Sequence, residues 1–408
     1  MSPAASSLPA AEPSSSRSRE RRDEIARNAG ELFAARGFHA VRMDDIAEAS
    51  GVTARVLYRH YSSKQALLAH VVLNDQQRLI DTLTRLTASP AEERDLDSTL
   101  RAIADAAIES RQLSPLWQRE ARHLDADAYE RVRDRTRSMA KQFTALLIDT
   151  GRPGLDAETA EVRIWGVVSI LTSSGLHEPA LPRPHLDREL VASSRRVIDL
   201  PAGPGAPVER TAATERAPLS RRDQLIDAAA KAFRERGFGG VSVDDIGAQV
   251  GFVGPALYRY HDNKAEILVA AVNRFDEWTA LEAYRAMRAP GPDDGVLAEL
   301  ARGYVRVALE ATDLLAVSLT ERPHLPDAVR DRFDRVQADQ NAEWERWLRV
   351  ARPDVGEAAA AVLARAARTI IHDCARIPHL RRHPDLGREL TNVVLASLGI
   401  ARTVPPGQ

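Results

Sequence analysis

Apolar residues recur at helical spacing almost from end to end of this chain. Ile25, Ala29, Leu32 and Phe33 share one helical face, as do Leu225, Ala229 and Phe233. Segments 97–112, 156–175, 296–316 and 356–374 are alanine-rich, with apolar positions three and four apart. No run alternates as a half-buried strand would. Proline and glycine clusters separate the helical segments, so the pattern predicts an all-α fold.

Local signals sharpen the first quarter. A helix is expected from about Arg19 to Arg36, closed by Gly37, where a left-handed residue suits a helix end. A short helix over about Asp44–Ser50 carries acids in its first turn, favoured by the helix dipole. Gly51 makes a tight turn, and Thr53 is a good N-cap for a second short helix, about Ala54–Tyr61. Ser62 then caps a longer helix from near Lys64. Two short helices around a glycine turn have the grammar of a helix-turn-helix, whose second helix enters the DNA major groove.

The same grammar returns. Residues 21–68 and 221–268 align without a gap. Arg21-Arg22-Asp23, Arg36-Gly37-Phe38, Asp44-Asp45-Ile46 and Leu57-Tyr58-Arg59 recur as Arg221-Arg222-Asp223, Arg236-Gly237-Phe238, Asp244-Asp245-Ile246 and Leu257-Tyr258-Arg259. Fainter echoes follow: Glu120, His123 and Leu124 return as Glu321, His324 and Leu325, and Arg152-Pro153 as Arg352-Pro353. The whole unit is therefore read as duplicated. The expected organisation is a disordered tail (1–16), a first helix-turn-helix domain (17–68) and a first helical regulatory and dimerisation domain (69–200). A Pro/Gly-rich linker (201–218) leads to a second helix-turn-helix domain (219–268), a second regulatory domain (269–400) and a short tail (401–408).

Composition narrows the class. The 408 residues are 44% hydrophobic and 28% charged, with a net charge of −2. That allows a sizeable core and argues against a non-specific nucleic-acid coat, while leaving room for a local basic face. No apolar run is long enough to span a membrane, and the N-terminus lacks the apolar core of a signal peptide. A lone cysteine, Cys374, suits the cytoplasm. Histidines are scattered without zinc-ligand spacing, and no phosphate-cradling glycine loop or nucleophile elbow occurs. His372-Asp373-Cys374 is the one tempting triple, but neighbours on a helix point about 100° apart. Neither enzyme nor metal nor cofactor is expected.

The run Asp45-Ile46-Ala47-x-x-x-Gly51-Val52-Thr53-x-x-x-Leu57-Tyr58-x-His60-Tyr61-x-x-Lys64-x-x-Leu67-Leu68 closely resembles the N-terminal signature of the TetR family of transcriptional regulators. The second copy resembles it through Gly254-Pro255-Ala256-Leu257-Tyr258-Arg259. The resemblance implies a regulator, by family habit a repressor, that binds a double-stranded DNA operator. Three N-terminal helices would read DNA, and a larger helical domain would bind an effector and form a dimer interface. Thr53, Ala54 and Arg55 would face base edges, Arg55 with a bidentate contact to guanine. Tyr58 and His60 would line the groove wall, and Lys64 would hold a phosphate. In the second copy Val253, Gly254, Pro255, Tyr258, Tyr260 and Lys264 take these places. Arg17, Arg19, Arg21 and Arg22 could form a basic arm.

The copies differ. Arg42 stands where the family has a capping Ser or Thr, which Ser242 retains, and Val253 replaces the second cap. The second copy has less basic excess and no arginine opening its recognition helix, so inequivalent heads are expected. Candidate effector-lining residues are Trp117, His123, Phe143 and Trp165 in unit one, and His324, Trp344, Trp347, His372 and Cys374 in unit two. The Glu-x-x-His-Leu element resembles TetR-type regulators that sense lipid or acyl-thioester ligands, implying an apolar or acyl-thioester effector. Because one chain carries two heads, an intramolecular pseudo-dimer is favoured over a homodimer of tandem chains. The rival reading is a protein-interaction module in which one or both heads no longer bind DNA.

Overall fold

The computed structural model describes residues 13–90, 94–109, 116, 120–151, 157–175, 180–201, 220–251 and 259–400. These are overwhelmingly helical, with no strand among them. In the first half run α1 (Pro13–Arg36), α2 (Met43–Ala49), α3 (Ala54–His60), α4 (Lys64–Ala88), α5 (Leu96–Glu109), α6 (Ala126–Gly151), α7 (Ala157–Thr172) and α8 (Arg183–Ile198). In the second run α9 (Arg221–Arg236), α10 (Val243–Gln249), α11 (Lys264–Arg288), α12 (Val296–Glu310), α13 (Thr312–Thr320), α14 (Asp327–Ala351), α15 (Glu357–Arg376) and α16 (Leu386–Ser397). The first helix begins at Pro13 rather than Arg19, inside the expected tail; proline suits a first helical turn, where its missing N–H is no loss. The expected linker falls almost wholly outside the described residues.

Head one, α1 to α3 with the start of α4, closes around Ile25, Phe33, Val41, Ile46, Leu57, Leu67 and Leu68, all fully buried. This core extends only to Leu116, Ala121, Leu124, Ala128 and Val132 of the adjoining body. Head two differs: Leu225, Phe233, Ile246 and Leu268 belong to one apolar cluster that runs through the second body and into the first.

The halves meet through corresponding helices. α7 packs on both α15 and α16, and so does α8. The apolar faces of these helices, with Val167, Ile170, Val197, Ile370, Val393 and Val394 buried, supply the driving force. Gly166 permits the approach of α7 to α16, since a Cβ there would stand 2.6 Å from Val393 Cγ1. Polar groups fix the register. The Arg163 guanidinium donates to Glu389 Oε1 (2.8 Å) and to the carbonyls of Leu200 and Pro201. Ser193 Oγ donates to the Ser397 carbonyl (2.8 Å), and Arg196 to the carbonyls of Ala396 and Ser397.

The Arg163–Glu389 pair lies inside the contact, with side-chain exposures of 4% and 10%. Breaking a buried pair from one side leaves an uncompensated charge, at a cost of about 3–5 kcal/mol. Arg163→Ala is expected to destabilise the chain by about that much in urea unfolding, and Arg163→Ala with Glu389→Leu to recover most of the loss.

Candidate nucleic-acid interface

In head one, α2 and α3 are set by the turn at Gly51, whose φ of +61° favours glycine. Asn28 of α1 holds the end of α2 by donating to the Ala49 carbonyl (3.1 Å) and to Ser50 Oγ (3.2 Å). Thr53 caps α3, its Oγ1 accepting from the Val56 N–H (3.4 Å). Leu57 points inward, fully buried. Thr53, Arg55, Tyr58 and Arg59 remain exposed, and Ala54 and His60 are half-buried. Tyr58 is 55% exposed, so it is not a core aromatic. Burial first, then the charges of Arg59, Arg22 and Arg21, lowers the pKa of His60. Arg21 and Arg22 of α1 thus stand near the C-terminal end of α3 and add positive charge to that rim. Arg22 also covers the Tyr61 ring at 5.3 Å, and Tyr61 donates its hydroxyl proton to the Arg22 carbonyl (3.1 Å).

At the start of α2 the Arg42 N–H donates to Asp45 Oδ2 (2.7 Å), while the guanidinium extends into solvent near Asp44. Ser242 instead completes a reciprocal cap, accepting from the Asp245 N–H (3.1 Å) and donating its own N–H to Asp245 Oδ2 (2.9 Å). In head two, Val253, Gly254, Pro255 and Tyr258 lie outside the described residues. Tyr260 is exposed, and His261 takes the buried place of Tyr61.

Lys64, expected to hold a phosphate, is turned inward. Its ammonium donates to the carbonyls of Phe38 (2.7 Å) and Val41 (2.8 Å) and sits 4.3 Å above the Phe38 ring. Lys264 does the same with Phe238 (2.7 Å), Val241 (2.8 Å) and the Phe238 ring at 4.2 Å. Both ammonium groups clamp the loop before the second helix, leaving one donor for anything outside.

His123 and His324, expected beside an effector, belong to this same junction. His123 stacks on Phe38 with centroids 5.0 Å apart, and His324 on Phe238 at 4.9 Å. Glu120 accepts from the Phe38 N–H (3.1 Å), and Glu321 from the Phe238 N–H (3.0 Å). The repeated Glu-x-x-His therefore fastens each head to its own body. The two fastenings also touch. Arg122 of the first half pairs with the fully buried Glu321, its guanidinium lying against Gly237, while His39 meets His123 edge-on at 4.4 Å. Burial, then the charges of His39, Arg122, Lys64 and His324, lowers His123 to about 4. Burial likewise lowers His39 and His324. Glu120 lies 3.7 Å from His123, and Glu321 3.9 Å from His324.

The model of the tetR family of bacterial regulatory proteins matches residues 25–71 and again 225–271. Each head thus carries a tetR-family helix-turn-helix. It is 36% identical over 87 residues to the HTH-type transcriptional activator FasR of Mycolicibacterium smegmatis, covering 21% of this chain and 38% of that protein. It is 28% identical over 151 residues to the HTH-type transcriptional repressor KstR2 of the same organism, covering 34% of this chain and 71% of that one. The chain thus spans less than half the length of FasR. The solved TetR family regulator PfmR from Thermus thermophilus aligns at a TM-score of 0.39 and 20% identity, over 46% of this chain and 99% of that one. The two named relatives, FasR and KstR2, are both transcriptional regulators, one an activator and one a repressor.

The helices that follow the heads distribute the remaining effector candidates unevenly. Trp117 lies outside the described residues. Phe143 is buried in the first body's core. Trp165 sits between the halves, 6.3 Å from the His379 ring. Trp347 is half-buried, donating its indole N–H to Glu343 (2.6 Å) under the Arg346 guanidinium. Cys374 is fully buried, and burial raises its thiol pKa well above the ordinary value. Among the described candidates, only Trp344 and His372 converge. The Trp344 ring meets Tyr304 edge-on, and the Tyr304 hydroxyl lies 2.9 Å from His372 Nε2.

Beside them stands a residue the sequence reading missed. Arg368 is 3% exposed, donates to Tyr304, Gln337, Gln340 and Asn341, and has no carboxylate within ion-pair distance among the described residues. Burial raises nearby Asp276 to about 6, against the pull of Arg368. An arginine inside an alanine-rich apolar helix was the available signal.

Lys64→Ala would strip two carbonyls of their donor. Head one is expected to lose about 2 kcal/mol, read by hydrogen exchange of α1 to α3, with Lys64→Arg less damaging. For His123 the neutral ring is the folded form. Its contribution is complete above the unfolded pKa of 6.5 and is lost as pH falls toward 4. Thermal unfolding should show stability declining through that window, and His123→Gln should flatten the decline.

Proposed function

We propose that the two helix-turn-helix heads of this chain read one operator together, as an intramolecular pseudo-dimer that represses transcription until a small molecule intervenes. The observation that carries this reading is the mutual covering of α7 and α8 by their counterparts α15 and α16. A face of that kind pairs two subunits when repeated in separate chains, and here one chain supplies both sides. A tether between the units makes the pairing effectively unimolecular. In head one, Thr53, Ala54 and Arg55 open the reading helix, Tyr58 lines the groove wall, and Arg21, Arg22 and Arg42 meet phosphates. Lys64 and Lys264 act by positioning the loop. Head two, with no arginine at the matching place, reads fewer bases.

The effector site is proposed in the second half only. Arg368 and His372 have Val168 and Thr172 at the matching places of the first half. Arg368 Nε is buried and has no partner among the described residues. A ligand with an apolar body and an oxygen-rich anionic group, as in an acyl thioester, would supply the missing acceptor. To act, it must bind one arrangement of the heads better than the other.

Selection of bound sequences from a random duplex pool by the full chain is expected to enrich a two-part site with unequal halves. Arg55→Ala should weaken binding roughly tenfold and relax one half of that site only. Failure to enrich any sequence, with no salt-sensitive binding, would favour the protein-interaction reading instead.

A further inference from the structure

The outward face of α11 carries large apolar side chains that nothing among the described residues covers. Trp278, Leu281, Tyr284 and Met287 are 42%, 50%, 62% and 41% exposed. They lie three residues apart, forming one oblique ridge across the helix surface. Single exposed apolar residues are ordinary, but a ridge of four on one helix is not. The matching positions on α4 hold Arg78, Asp81, Thr84 and Thr87. The ridge is therefore a property of the second half, not of the repeat.

Its flanks are charged in opposite senses. Glu277 lies at the N-terminal end of the ridge and Arg288 at the other, its guanidinium 5.9 Å from the Tyr284 ring. Both are exposed, and no ion pair between either of them and another described residue is recorded. This arrangement complements itself. Two such helices related by a two-fold axis between Leu281 and Tyr284 bring Trp278 to Met287, Leu281 to Tyr284, and Glu277 to Arg288 of the second copy. A two-fold contact requires the same patch to fit itself in reverse, and this patch does so in the order of its apolar residues and in charge.

We propose that α11 is a docking surface for a second copy of this chain, which joins two chains into a particle with four heads. The inference rests on the intramolecular pairing above: with α7, α8, α15 and α16 covering each other, a second copy must dock elsewhere. One helix face offers less than the roughly 800 Å² per partner of a standard interface, so association at micromolar concentration is expected.

Sedimentation equilibrium of the full chain tests this. At roughly 10–100 µM the unmodified chain should reach twice the mass of one chain, the range set by so small a contact. Leu281→Glu, which sets two carboxylates near the axis, should return it to a single chain with unchanged thermal unfolding. Glu277→Arg should also weaken association, and adding Arg288→Glu should restore it. A single chain throughout, or a dimer indifferent to Leu281→Glu and to Glu277→Arg, overturns the proposal. A dimer indifferent to both but dissolved by Gly166→Leu would instead mean that the halves pair between chains, and would sink the intramolecular reading. Nanomolar operator binding by Leu281→Glu separates the two: if it is intact, the two-headed function stands whatever becomes of α11.

Discussion

The mutual burial of α7, α8, α15 and α16 is the contact on which the rest of this structure depends. These helices are apolar on the faces that meet, and neither half covers them by itself. Burying them together removes that surface from water and joins the two bodies into one core. The polar contacts placed there add register more than energy. Arg163 is satisfied from three directions, by Glu389 and by the carbonyls of Leu200 and Pro201, so its burial carries no unpaired charge. Because α7 and α15 occupy matching places in the repeat, the contact relates the two halves and thereby positions what each half carries.

What each half carries is fastened by a second device, used twice. A glutamate takes the N–H of the phenylalanine after the glycine turn, a histidine stacks on its ring, and a lysine holds its carbonyl. The N–H and the carbonyl of that phenylalanine are thus both answered from inside the protein. Arg122 then reaches from one fastening to the buried carboxylate of the other. A displacement of Phe238 must disturb Glu321, and with it Arg122 and the first head's support. Three neutral histidines fill the space between, so acid strains both fastenings.

Around this shared frame the copies have diverged where side chains face outward or inward without touching it. Ser242 caps its helix; Arg42 leaves the cap and extends into solvent. Tyr61 gives way to His261 beneath the second head. The interior of the second body holds Arg368 among neutral amides and Tyr304, where the first has Val168 at the place of Arg368. The outer face of α4 is polar and that of α11 apolar. Duplication within one chain frees such positions, since a change in one copy is no longer imposed on the other.

Much of this was legible in the residues themselves. Helical periodicity, the turns at Gly37 and Gly51 and the cap at Thr53 act through near neighbours, so they specify the head without reference to the rest of the chain. The repeat needed only comparison of residues 21–68 with 221–268. Local pattern could not tell what a polar side chain faces. Lys64 opens a helix beside the reading head, and from spacing alone it suits a phosphate as well as it suits the carbonyls of Phe38 and Val41. His123 suits a ligand as well as a phenylalanine ring brought from far along the chain. Arg163 and Arg368 each interrupt an apolar helix, and one found a carboxylate and the other side-chain amides and a tyrosine hydroxyl. Short-range steric and hydrogen-bonding rules determine the helices and the reading motif from the sequence alone. The partners of buried charges come from distant segments, and only the packing of helix on helix decides which groups meet.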